Sequence, residues 1–125
     1  MFSLLINHKR NTMKIILSLL LLLFTVVLYG QEKQILETTF TVQGNCNICK
    51  DRIEKAAYIK GVKRVSWDVD SKSFQLIYRA DKTTPRKVME SIAAIGHDTQ
   101  EVEASEKVYN NLHHCCKYRT IKSCE

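Results

Sequence analysis

An α+β fold is predicted for residues 34–103: strand, helix, strand, strand, helix, strand, with both helices on one face of a four-stranded antiparallel sheet. Three observations predict it. Apolar residues alternate with period two in three short segments and, more weakly, in a fourth; two intervening segments place apolar residues at three- and four-residue steps; and turn residues stand at the joints.

From Ile35 to Val42 the apolar Leu36, Phe40 and Val42 fall at even positions, the pattern of a half-buried strand, and Gln43-Gly44-Asn45 breaks it. The stretch from Cys46 to Ile59 contains no Pro or Gly and carries Cys49, Ile53, Ala56 and Ala57 on one side, which predicts a helix stopped at Gly61. Val62, Val65, Trp67 and Val69 lead into Asp70-Ser71-Lys72-Ser73, and Phe74, Leu76 and Tyr78 follow, giving a β-hairpin. Thr84-Pro85 supplies an N-cap and a first-turn proline to a second helix with the stripe Val88, Ile92, Ile95, ended by Gly96. Asp98 to Glu103 reads as a short polar edge strand, with Thr99, Glu101 and Glu103 facing one way. This order of elements is the ferredoxin-like, split βαβ arrangement.

Residues 1–30 differ in composition. An apolar run from Ile15 to Tyr29, softened by Ser18 and Thr25, follows Lys14 directly, with His8, Lys9 and Arg10 upstream, and predicts a secretory signal peptide cleaved after Gly30. Met13-Lys14 is the better beginning for such a segment, so residues 1–12 are read as the product of a mis-called start. The competing reading is an uncleaved anchor over residues 15–29, but this run is shorter than the ~20 residues that span a bilayer. The expected location is therefore exported, periplasmic or secreted.

The chain has 125 residues, 45% hydrophobic and 26% charged, which leaves room for one core. Its net charge of +6 falls to +3 without Lys9, Arg10 and Lys14, and no basic run exceeds two residues, so nothing marks a nucleic-acid binder. Five cysteines, Cys46, Cys49, Cys115, Cys116 and Cys124, lie beyond residue 30, an odd number that cannot all pair internally.

Cys46 and Cys49 carry the strongest chemical signal. A C-x-x-C serves redox exchange, zinc ribbons and soft-metal loops alike, so its context decides. Here the pair lies between a first strand and a first helix, Cys46 in the loop and Cys49 in the opening turn, where both sulfurs can converge on one point. Unpaired amides and the positive end of the helix dipole favour thiolate there, so easier ionisation is expected. Two thiolates make a poor closed zinc site, which wants four ligands, and a good one for a soft ion such as Cu(I) or Hg(II). A thiol–disulfide oxidoreductase would use the same pair, yet that motif usually carries an aromatic and a small residue or proline around its cysteines.

The strand followed by Gly44-Asn45-Cys46-Asn47-Ile48-Cys49, then Ile53, Ala57, Gly61-Val62 and Gly96, resembles the heavy-metal-associated (HMA) domain over about residues 36–102. The resemblance implies a non-enzymatic copper-chaperone or mercury-scavenger module, with Cys46 and Cys49 as ligands of one ion. It implies a monomer that exchanges the ion with a metal-transporting or metal-accepting protein bearing a similar C-x-x-C, and meets a membrane only through the precursor segment. Two positions depart from the family pattern. Asn45 replaces a methionine that packs under the loop, which predicts a less firmly buttressed loop. His97 follows Gly96 where Tyr or Lys is common, and is a candidate third ligand or hydrogen-bond partner, the alternative being an exposed loop histidine.

Residues 104–125 form a Cys- and His-rich extension that opens with a capped helical turn around Val108, Tyr109 and Leu112. His113, His114, Cys115 and Cys116 are four candidate ligands in a row, of which at most two or three can share an ion because adjacent side chains diverge. The alternatives are a disulfide from Cys115 or Cys116 to Cys124, or a tail folded back onto Cys46 and Cys49 that turns an exchange site into a storage or sensing site. The sequence thus predicts a soft-metal carrier, with Cu(I) as the expected ion and Hg(II) or Zn(II) as alternatives.

Overall fold

A computed structural model describes residues 1–28 and 33–121, the side chains of residues 24–28 excepted. The expected cleavage site at Gly30 and Cys124 lie outside the described residues. The chain divides into two compact units, Met1–Glu32 and Lys33–Glu125.

The described residues of the first unit form one helix, α1 (Phe2–Leu28). Among the described residues no helix is long and apolar enough to cross a membrane.

The second unit runs β1 (Ile35–Thr41), α2 (Asn47–Ala57), β2 (Val62–Trp67), β3 (Ser73–Arg79), α3 (Pro85–Ala93) and α4 (Glu106–Asn110), then a 3₁₀ turn at His114–Cys116. The strands form an antiparallel sheet in the order β1-β3-β2. Register follows the alternation in sequence: Phe74 stands opposite both Phe40 and Trp67, and Leu76 opposite both Thr38 and Val65. A one-residue slip would turn Phe74, Leu76 and Tyr78 out to solvent, so burial of this face fixes the pairing. Phe40 and Phe74 stack with ring centroids 4.9 Å apart.

Both helices cover that face. Cys49, Ile53 and Ala57, at steps of four, are the buried stripe of α2, and Val88, Met89, Ile92 and Ala93 that of α3. The expected cap of α3 forms, Thr84 accepting from the Lys87 amide ahead of Pro85. Trp67 lies at the centre, fully buried, and its indole Nε1 donates to the Val42 carbonyl at 3.0 Å. That bond satisfies a backbone acceptor where β1 gives way to the loop, and the ring fills the space beneath the loop.

The fourth strand contracts. Of the expected Asp98–Glu103 edge, a single bridge remains between Val42 and Thr99, flanked by Gln43 N to Asp98 O at 2.8 Å and Gln100 N to Thr41 O at 2.9 Å. The physical cause is local competition by a threonine side chain. Thr99 N donates to Val102 O at 2.8 Å and Val102 N to Thr99 Oγ1 at 3.0 Å, so the chain turns back on itself. Thr99 is buried while Glu101 and Glu103 are exposed, so these three do not share one face.

Replacing Trp67 by Phe leaves the Val42 carbonyl unpaired in an apolar site and opens a gap under the loop. A loss of about 2–4 kcal/mol in unfolding free energy is expected, read as a lower urea midpoint with an unchanged slope.

Candidate metal centre

The loop between β1 and α2 is held at both ends. Gln43 N donates to Asp98 O, and the Gln43 carbonyl accepts from His97 Nδ1 at 2.8 Å. The chain then passes directly over Trp67: a Cβ on Gly44 would stand 2.9 Å from the indole ring and 3.1 Å from Cys49 Cβ, so no larger residue fits. Cys46 follows in extended backbone as the N-cap of α2, and its carbonyl accepts from Lys50 N at 3.0 Å. One turn later Cys49 points inward with no solvent exposure. The two sulfurs lie 3.4 Å apart, well beyond the ~2.05 Å of a disulfide bond.

The C-terminal extension brings in a third sulfur. Cys116, also fully buried, sits with Cys46 and Cys49 in a group whose sulfurs all lie within 4.8 Å of one another. Ser105 caps α4, which drives Tyr109 and Leu112 into the core. The 3₁₀ turn after it, capped by His113 Nδ1 accepting from Cys115 N at 3.3 Å, turns Cys116 inward. Cys115 contributes its carbonyl, which accepts from the Cys46 thiol at 3.7 Å. His113 and His114 are exposed and stand outside the sulfur group.

His97 is also outside that group, and is buried rather than an exposed loop histidine. Because Nδ1 faces a carbonyl, which only accepts, Nδ1 carries the proton, and Nε2 is left buried with no partner. Its ring stacks on Tyr118 with centroids 5.5 Å apart. The residue braces the loop from beneath. Asn45 braces it from above: its Nδ2 donates to Ile121 O at 2.8 Å while its Oδ1 accepts from the Cys49 thiol at 3.4 Å. The loop expected to be weakly buttressed is instead pinned to the tail through Asn45.

Burial, not the helix terminus, sets the chemistry of the thiols. Desolvation raises the Cys49 pKa, and the hydrogen bonds that favour its thiolate, from the Asn45 backbone, the Cys116 thiol and the Cys46 backbone, do not offset it. Desolvation pushes Cys116 much further up, and the neighbouring Cys49 adds to the rise. The expectation of easier ionisation fails for Cys49 because the dipole term is worth at most ~1–2 kcal/mol while loss of water around a charge costs more.

Two residues that carried no signal in the sequence hold the tail in place. Tyr118 Oη donates to Gly96 O and accepts from Asp98 N, each at 2.9 Å. Arg119 grips the Asp98 carboxylate through Nη2 at 2.7 Å and Nε at 3.0 Å, pairs with Glu106 at 2.6 Å, and lies over the Tyr109 ring at 4.3 Å. Burial pushes Asp98 up, but Arg119, the Ala104 amide and Tyr118 together hold its pKa below the ordinary value.

No family model and no curated protein matches the sequence. In backbone the chain is similar to oxidized MerP from Ralstonia metallidurans CH34, at 22% identity and TM-score 0.51, covering 54% of this chain and 96% of that one. It is similar to a candidate copper-ion-binding protein from Bacillus anthracis str. Ames, at 21% identity and TM-score 0.52, covering 55% and 100%. The water-soluble region of the P-type ATPase CopA from Bacillus subtilis gives 24% identity and TM-score 0.50, covering 55% and 47%. The second unit therefore has the heavy-metal-associated, ferredoxin-like fold.

His97 makes stability depend on pH. Its pKa falls from 6.5 to about 4, desolvation by burial outweighing the bond to Gln43. The unfolded chain takes up this proton near pH 6.5 and the folded one only near pH 4, so stability is lost as pH falls between them. A loss of about 2 kcal/mol between pH 7.5 and pH 5 follows, a range in which the Asp98 carboxylate stays ionised. His97→Asn, which keeps a donor near the Nδ1 position but does not titrate, is expected to abolish this share of the pH dependence in urea denaturation.

Proposed function

We propose that this protein binds a soft metal ion, Cu(I), through the thiolates of Cys46 and Cys49, and carries or sequesters it outside the cytoplasm as a metallochaperone or detoxification protein. The observation that carries the reading is the pair of sulfurs 3.4 Å apart at the N-terminus of the first helix of a heavy-metal-associated fold. Sulfur-only donors select soft ions, and the sulfur group offers Zn(II) no fourth ligand among the described residues. Similarity to a candidate copper-ion-binding protein points the same way. Hg(II), equally thiophilic, is the nearest alternative ion.

Export is supported by the apolar run from Ile15 to Tyr29 behind Lys14. The acceptor is a metal-transporting or metal-accepting protein with its own C-x-x-C, met by the monomer through ligand exchange. No catalytic step belongs to this reading. A thiol–disulfide oxidoreductase using the same pair is the reading of another class; it predicts turnover of a disulfide substrate, whereas a carrier predicts tight binding without turnover.

The test is titration of the anaerobically purified full chain with Cu(I), Hg(II) and Zn(II) against a competing chelator. Cu(I) is expected to bind tightly with one ion per chain, and Cys46→Ser to weaken it roughly 100-fold or more, since a ligand and its charge are both lost. A preference for Zn(II), or binding unmoved by Cys46→Ser, would overturn the assignment.

A further inference from the structure

The tail does more than cover the loop. We infer that Cys116 is a third ligand, so that Cys46, Cys49 and Cys116 hold the ion in a trigonal, all-sulfur site that retains its cargo until the tail undocks. This rests on the Cys46–Cys49 reading and deepens it.

Geometry is the first argument. At metal–thiolate bonds of about 2.3 Å, three sulfurs around one ion stand roughly 4.0 Å apart, and two on opposite sides roughly 4.6 Å apart. Cys46 and Cys49 are 3.4 Å apart, and the whole group lies within 4.8 Å. Closing around a trigonal ion asks this pair to open by about 0.6 Å, and a linear site by about 1.2 Å. The smaller movement also brings in Cys116, an unbridged thiol already turned to the same point.

Position is the second argument. Of the cysteines and histidines at 113–116, only Cys116 joins the group, because the 3₁₀ turn directs it inward and leaves His113 and His114 exposed. The site lies at the N-terminal end of α2, where unpaired amides and the helix dipole face the accumulated negative charge. Binding is not a redox step: each thiol gives its proton to solvent as its sulfur bonds to the ion.

Attachment is the third. The segment just beyond Cys116 is fastened by Tyr118 to Gly96 and Asp98, by Arg119 to Asp98, Glu106 and Ala104 O, and by Ile121 O to Asn45. A partner that takes the ion by exchanging thiolates must approach Cys46, the one ligand of the three that is not fully buried. While the tail is docked, the other two ligands are out of reach.

X-ray absorption at the copper edge of the anaerobically loaded full chain tests the inference. Three sulfurs are expected in the wild type and two in Cys116→Ser, with Cu(I) affinity lowered at least about 10-fold by that near-isosteric change. Arg119→Gln leaves every sulfur in place and loosens the tail; it is expected to speed transfer of Cu(I) to a competing chelator by at least about 10-fold. Two sulfurs in the wild type, with affinity unchanged in Cys116→Ser, would overturn the inference while the Cys46–Cys49 reading stands. An unchanged transfer rate in Arg119→Gln would overturn retention by the docked tail. Failure of Cys46→Ser to weaken binding would remove both readings.

Discussion

Asp98 is the joint on which the architecture of the site depends. Its carbonyl accepts from Gln43 N at the mouth of the metal loop, its amide donates to Tyr118 Oη, and its carboxylate accepts from Arg119 twice and from the Ala104 amide. One residue thus ties the end of β1, the bend after α3 and the C-terminal extension together. An exposed ion pair contributes at most about 1 kcal/mol. This one is bidentate, partly shielded, and shares its carboxylate with a backbone donor, so its members support one another. Shortening or removing the Asp98 side chain would loosen the tail, because Arg119 and the Ala104 amide bond to its carboxylate, while the bond to Gln43 N is made by its backbone.

The same packing decides the electrostatics. A helix N-terminus and a C-x-x-C invite the inference of reactive thiolates, and on an open surface that inference would hold. Here Cys49 and Cys116 are covered from below by the sheet and from above by the tail, and removal of water costs a buried thiolate more than the dipole returns. Cys49 and Cys116 therefore keep their protons in the absence of a cation. A soft cation reverses the balance by neutralising the charge where it forms, so the site discriminates by cation strength as well as by ligand softness.

What was legible in the sequence is what is local. Period-two alternation placed β1, β2 and β3, the three- and four-residue stripes placed α2 and α3, and the strand–loop–helix junction located Cys46 and Cys49. The edge strand failed because Thr99 has a local alternative, its side chain and Val102 satisfying each other's backbone partners. The bracing by Asn45 leaves no local trace because its partner, Ile121 O, lies 76 residues away. The tail carried four adjacent candidate ligands with nothing to rank them. Only the docking of Tyr109, Leu112, Tyr118 and Arg119 selects Cys116, and those contacts are tertiary.

Gly96 shows how closely the two halves of the site are fitted. It ends α3 with φ +106°, a conformation that L side chains rarely adopt, and a Cβ there would meet Leu112 of the tail at 2.9 Å. The helix stop that delivers His97 and Asp98 to the loop is therefore also the seat on which the tail packs. Folding of the α+β domain builds the receiving surface, and the extension adds its sulfur by docking there. Binding and release are then linked through one attachment: the grip of Tyr118 and Arg119 on Gly96 and Asp98 holds Cys116 against Cys46 and Cys49.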